Sequence, residues 1–89
     1  MLSAARIKMP ATLELLLRYE LEQAIEQANL GSLDTVVAKK YLIERLPQID
    51  IAEEIGYDRT VVTRHVKHIL PRVEWAAQRL FGNTHTSAS

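Results

Sequence analysis

The chain contains no cysteine, three glycines, three prolines, one tryptophan and one phenylalanine among its 89 residues. The lack of cysteine excludes disulfides, thiolate metal sites and thiol catalysis, and it is typical of a reducing compartment. No apolar run approaches the roughly 20 residues that span a bilayer, and the segment Met1 to Pro10 lacks the apolar core of a signal peptide. We therefore expect a cytoplasmic protein that does not enter a membrane.

The composition is that of a globular chain, with 47% apolar and 25% charged residues. We predict a single helical domain over residues 1–82 and a disordered tail over residues 83–89. A chain of this size buries only about 60–65% of its unfolded surface, so self-association would add stability. We therefore expect a homodimer.

The charges are unevenly distributed, although the formal net charge is zero. Six Lys and Arg stand against ten Asp and Glu up to Asp58, whereas five stand against one from Arg59 onward. A DNA-binding surface needs cations to replace the counterions on phosphate, and the second half of the chain supplies them. Binding of an acidic protein partner would produce the same asymmetry.

Apolar periodicity predicts an all-α fold of four to five helices, and no segment sustains the alternation of a strand. The predicted helices cover about residues 11–29, 33–46, 47–55, 59–70 and 71–81. The first helix has one apolar face formed by Leu13, Leu17, Leu21, Ala24 and Ala28. Leu15 and Tyr19 lie on its opposite side, which predicts either a helix buried on both sides or a contact with a second copy.

Polar and special residues predict where the later helices begin and end. Ser32 or Asp34 is expected to cap the second helix, which then packs through residues such as Val36 and Val37. Pro47 marks the next boundary, because proline disfavours helical geometry in the residue before it. Pro71 should kink or restart the last helix, since proline lacks the amide hydrogen and clashes with the preceding turn.

The segment from Gln48 to Val66 has the spacing of a helix-turn-helix. Ala52 is small where the two helices cross, and Gly56 can take the left-handed conformation of the turn. Asp58 can cap the second helix, and Val62 faces the first. The motif is predicted to hold a recognition helix that starts at Asp58.

The stretch IAEEIGYDRTVVTRHVKHIL resembles the helix-turn-helix of bacterial sigma factor region 4 and of LuxR-type and small phage regulators. The resemblance covers about residues 33–70 and includes an Arg just inside the second helix, at Arg59. Pro47 replaces a frequent Ser or Thr cap, and His65 replaces a frequent Arg, so promoter specificity does not carry over. The resemblance implies a transcription regulator of phage or mobile-element type, with duplex DNA and possible RNA polymerase as partners.

The outward face of the recognition helix is polar and basic. A helix fits the major groove, where Arg binds guanine and Thr contacts bases or a thymine methyl. We predict base contacts by Arg59, Thr60, Thr63 and Arg64, and phosphate contacts by Gln48, Lys67, His68, Arg72, Lys39 and Lys40. The alternative is that these residues only form a solvated helix face and bind no ligand.

Other constellations do not indicate chemistry. His65 and His68 are three residues apart but lack a third ligand at suitable spacing, so we predict no metal site and no cofactor. Glu53 and Glu54 point in different directions, and no nucleophile has an identifiable base, so we predict no enzymatic activity. The alternatives to a regulator are a small terminase-like subunit that recognises DNA and a helical adaptor that binds protein.

Overall fold

The computed structural model describes residues 11–82, and all regular structure in that range is helical. The predicted all-α class is confirmed. The five α-helices are α1 (Ala11–Glu14), α2 (Arg18–Gln27), α3 (Ser32–Ala38), α4 (Gln48–Ile55) and α5 (Arg59–Ala77). Short π-helical turns extend α3 over Lys39–Ile43 and α5 over Gln78–Gly82. The predicted tail over residues 83–89 lies outside the described residues, as do residues 1–10 of the predicted domain.

Helix α5 is the central element, because α1, α2, α3 and α4 all contact it. Its apolar positions recur at three- and four-residue steps, which places them along one face. Val62, Val66, Ile69 and Val73 are each at most 1% exposed. This row is the predicted core face of the recognition helix, and the other helices close over it.

The predicted continuous helix over residues 11–29 is wrong, because the chain turns at Leu15–Leu17. Leu17 is extended (φ −73°, ψ 162°), and its N–H donates to Glu20 Oε1 at 2.9 Å. The turn brings Leu13 into the core, where it is fully buried. Leu17, predicted on the buried face, is instead 63% exposed. Burial of Leu13 therefore overrides the local helical preference.

The start of α3 also differs from the prediction. Its N-cap is Gly31, with φ 96°, and no side chain caps the helix, so neither Ser32 nor Asp34 has the predicted role. Val36 is 42% exposed rather than packed, whereas Val37 is buried.

The helical segment that consists of α3 and its π-helical extension ends before the predicted residue 46. Its π-helical turn stops at Ile43, and Arg45 takes the left-handed conformation with φ 59°. The Leu46 amide then donates to the Lys40 carbonyl at 3.0 Å and closes the turn. The left-handed Arg45 thus ends the helix two positions before Pro47.

The boundaries of α4 match the prediction to within one residue, with Pro47 as N-cap. Asp58 is the N-cap of α5, but its carboxylate accepts no capping hydrogen bond, contrary to the prediction. The predicted restart at Pro71 is also wrong, since α5 runs unbroken through it. Proline in a helix costs about 3 kcal/mol. Buried neighbours on both sides, Leu70 and Val73, hold the helix together across it.

Candidate nucleic-acid interface

A three-residue turn, Gly56 to Asp58, joins α4 to α5. Gly56 is left-handed (φ 77°, ψ 28°), a conformation that glycine adopts without steric cost. The amides of Gly56 and Tyr57 both donate to the Ala52 carbonyl, at 2.9 and 3.0 Å. Ala52 is 5% exposed and Val62 1% exposed, so both motif positions lie in the core. Tyr57, in the turn itself, is 46% exposed.

The first half of α5 carries polar and cationic side chains on its outward side. Arg59, Thr60, Arg64, Lys67 and His68 are all exposed. Their side chains make no hydrogen bond or ion pair with any other residue in the part of the chain that the structure describes. These five predicted base-reading and phosphate-binding positions are therefore accessible to a ligand.

Thr63 differs from the other predicted base-reading residues, because it is half-buried. Its hydroxyl donates to Gln48 Oε1 at 2.5 Å. The bond joins the first residue of α4 to the second turn of α5. It lies on the inner side of the corner that α4, the turn and α5 form. Gln48 still has its two amide hydrogens as donors.

Lys40 is engaged by an acidic residue of α4. Its ammonium donates to Glu54 Oε1 at 2.5 Å, with side chains 22% and 48% exposed respectively. This hydrogen bond raises the pKa of Lys40 above its ordinary value of 10.5. A phosphate would have to compete with Glu54 for Lys40, whereas the neighbouring Lys39 is exposed.

An ionisable pair that the sequence analysis missed links α3 to α5. His65 Nδ1 lies 2.7 Å from Asp34 Oδ1, and the two side chains are 35% and 18% exposed. His65 follows Arg64, so the pair ties α5 to α3 next to a predicted base-reading residue. Asp34 has the position of a capping residue in the sequence, and no local pattern indicates a partner 31 positions away.

The second half of α5 carries an exposed tryptophan. Trp75 is 58% exposed, and the Arg79 guanidinium lies 4.8 Å from its ring centroid. Arg72 donates a long hydrogen bond of 3.5 Å to the Ala28 carbonyl. Arg72, Trp75, Ala28 and Pro71 line an open depression of about 320 Å³. Arg72 is therefore tied loosely to α2, and its guanidinium retains further donors.

Residues 11–82 contain no group of three or more His, Cys, Asp or Glu side chains that could hold a metal ion. Within the same range, none of the helices combines the length and the apolar character required to cross a bilayer.

Comparison with known protein families, curated proteins and solved structures found no match to this chain. The class of the fold is all-α, and the accessible side chains of α5 are the feature that indicates a function.

Proposed function

We propose that the protein is a sequence-specific DNA-binding regulator of transcription that inserts the first half of α5 into the major groove. One observation carries the proposal: the same helix is apolar and buried on one side, and cationic, exposed and unpaired within the described residues on the other. An α-helix fits the major groove, and the short corner with α4 gives it a rigid support.

The spacing of the outward side chains suits the major groove, with residues predicted to contact bases followed by one predicted to contact phosphate. Thr60, Arg64 and Lys67 recur at steps of four and three residues, which aligns them along one face. At about 1.5 Å rise per residue they span about 10 Å, close to three steps of B-DNA at about 3.4 Å each. Arg64 lies at the centre of this row, and an Arg in the major groove can make the bidentate contact to guanine that distinguishes this base from the others.

The last residue of the row and groups beside the row can bind the DNA backbone. Lys67 and His68 lie one turn further along α5, and Lys39 is exposed on the neighbouring π-helical turn. The amide hydrogens of Gln48 supply a neutral donor at the start of α4. Such contacts set register and affinity and carry no sequence information.

Selection of bound sequences from random duplexes, followed by affinity measurements on the winner, tests the proposal. Arg64→Ala should cost about 1–3 kcal/mol on the selected duplex and much less on unrelated DNA, whereas Lys67→Ala should weaken binding to both about equally. Failure to enrich any sequence would contradict the proposal. A palindromic winner indicates a two-fold dimer, and an asymmetric one indicates a sigma-like mode.

A further inference from the structure

The turn between α1 and α2 leaves three large apolar side chains in water. Leu15 is 84% exposed, Leu17 63% and Tyr19 58%. The three residues lie within five positions of one another, and large exposed apolar patches mark interaction sites on soluble proteins. The patch coincides with the place where the structure departs from the helix that the sequence predicts.

No residue in the turn favours a break. The segment Leu15–Leu16–Leu17 consists of a strong helix former and contains no glycine, proline or asparagine. The break is fixed instead by Leu13, which is fully buried against the core while α1 contacts α5. The local preference of this segment therefore favours a second arrangement, in which the helix is continuous.

We propose that two copies of the chain exchange α1, with α1 and α2 joined into one continuous helix in each copy. In the exchanged dimer, Leu13 of each copy occupies the place on α5 that the other copy's Leu13 has left. A second copy is the partner that carries the required segment, because the α5 seat already fits it. Exchange of an identical element is a low-cost route to a dimer.

Straightening the helix also accounts for the exposed side chains. In a continuous helix Leu17 lines up with Leu13 and Leu21. All three then lie on the face that is buried, Leu21 in its own copy and Leu13 in the other. Leu15 and Tyr19 line up on the other face, where the equivalent helix of the second copy would cover them. One rearrangement thus gives each of the three exposed residues a partner.

The size of the patch favours exchange over docking of two unchanged monomers. A tyrosine buries about 150–250 Å², and a leucine less. Three such side chains remain below the roughly 800 Å² per partner that a stable interface buries. Exchange adds the contact between α1 and α5, which then lies between the copies.

Two substitutions at Leu17 separate exchange from simple docking. The φ of −73° and ψ of 162° at Leu17 suit proline, which would remove from the broken form only the exposed hydrogen bond of the Leu17 N–H to Glu20. Proline strongly disfavours the continuous helix, because its ring clashes with the Leu13 carbonyl and it lacks the amide hydrogen for that carbonyl. Leu17→Ala removes the same side chain and retains helical preference.

Sedimentation equilibrium up to high micromolar concentration, with circular dichroism to verify folding, provides the test. It does not depend on DNA binding. We expect a dimer for the wild type and for Leu17→Ala, and a dissociation constant at least about 100-fold higher for Leu17→Pro than for Leu17→Ala. A monomeric wild type, or equal dissociation constants for the two variants, overturns the proposal.

Leu17→Ser provides a second route if the proline variant does not fold. A serine at this N-cap, together with Glu20 at the third helical position, completes a capping box and stabilises the broken form. We expect this variant to be more monomeric than Leu17→Ala. An equal or stronger dimer would count against exchange.

Discussion

Replacement of Gly56 by alanine tests the turn on which the orientation of α5 depends. A Cβ at Gly56 would meet no atom within 4 Å, so the cost comes from the backbone conformation at φ 77° alone. The left-handed conformation costs an L-residue about 1–2 kcal/mol. Loss of unfolded-state entropy returns about 0.4–1 kcal/mol. The net destabilisation should be about 1 kcal/mol, or about 4–8 °C in Tm.

Gly31 supplies a matched comparison, because a Cβ there also meets nothing within 4 Å. Its φ of 96° and ψ of 166° lie in a region that is essentially restricted to glycine. Alanine at Gly31 should therefore cost more than at Gly56. Asparagine should recover part of the loss at Gly56, since it tolerates the left-handed conformation, and none at Gly31.

Urea denaturation followed by circular dichroism measures all four variants. The affinity of Gly56→Ala for a selected duplex should fall by more than the loss of folded protein explains, because the turn also sets the orientation of α5. If Gly56→Ala is more stable than the wild type, Gly56 is not left-handed and the geometry of the turn is wrong.

Three further perturbations address single contacts. Thr63→Val should lower the unfolding free energy by about 1 kcal/mol through loss of the bond to Gln48, and Thr60→Val, on the exposed side, should change it by less than about 0.5 kcal/mol; equal effects would contradict the assigned contact. Asp34→Asn should lower the unfolding free energy by about 1 kcal/mol by weakening the pair with His65. A stability equal to that of the wild type would show that the pair does not stabilise the fold. The pKa of Lys40 is raised in the folded state, so its pair with Glu54 stabilises the fold below pH 10.5 and loses that effect above it; the stability difference between wild type and Lys40→Met should shrink as the pH rises past 10.5, and a growing difference would reverse the assigned sign.

Local chemistry predicted the corner well. Pro47 and Gly56 bound α4 because each restricts or permits backbone geometry by itself, without help from the rest of the fold. The periodicity of Val62, Val66 and Ile69 gave the buried side of α5, and hence its outward side. The accessible part of the candidate site could therefore be predicted from the sequence.

Features set by distant contacts could not be predicted in the same way. The turn at Leu15–Leu17 follows from the burial of Leu13, and packing carries α5 through Pro71 despite the local rule against proline. The Gln48–Thr63 and Asp34–His65 contacts join residues 15 and 31 positions apart, and neither leaves a periodic signal. Each of these depends on which surfaces meet in the folded chain.

The salt dependence of binding to a selected duplex measures whether cations on and beside α5 bind the phosphates of DNA. Each phosphate that a cation neutralises contributes a slope of about −0.9 to the logarithm of affinity against the logarithm of salt concentration. Contacts by Lys39, Lys67 and Arg72 together predict a slope of about −2.7 or steeper between about 50 and 200 mM salt. A measurable affinity with a slope near zero, or no affinity for duplex DNA at any salt concentration, would contradict the claim that the outward face of α5 binds DNA.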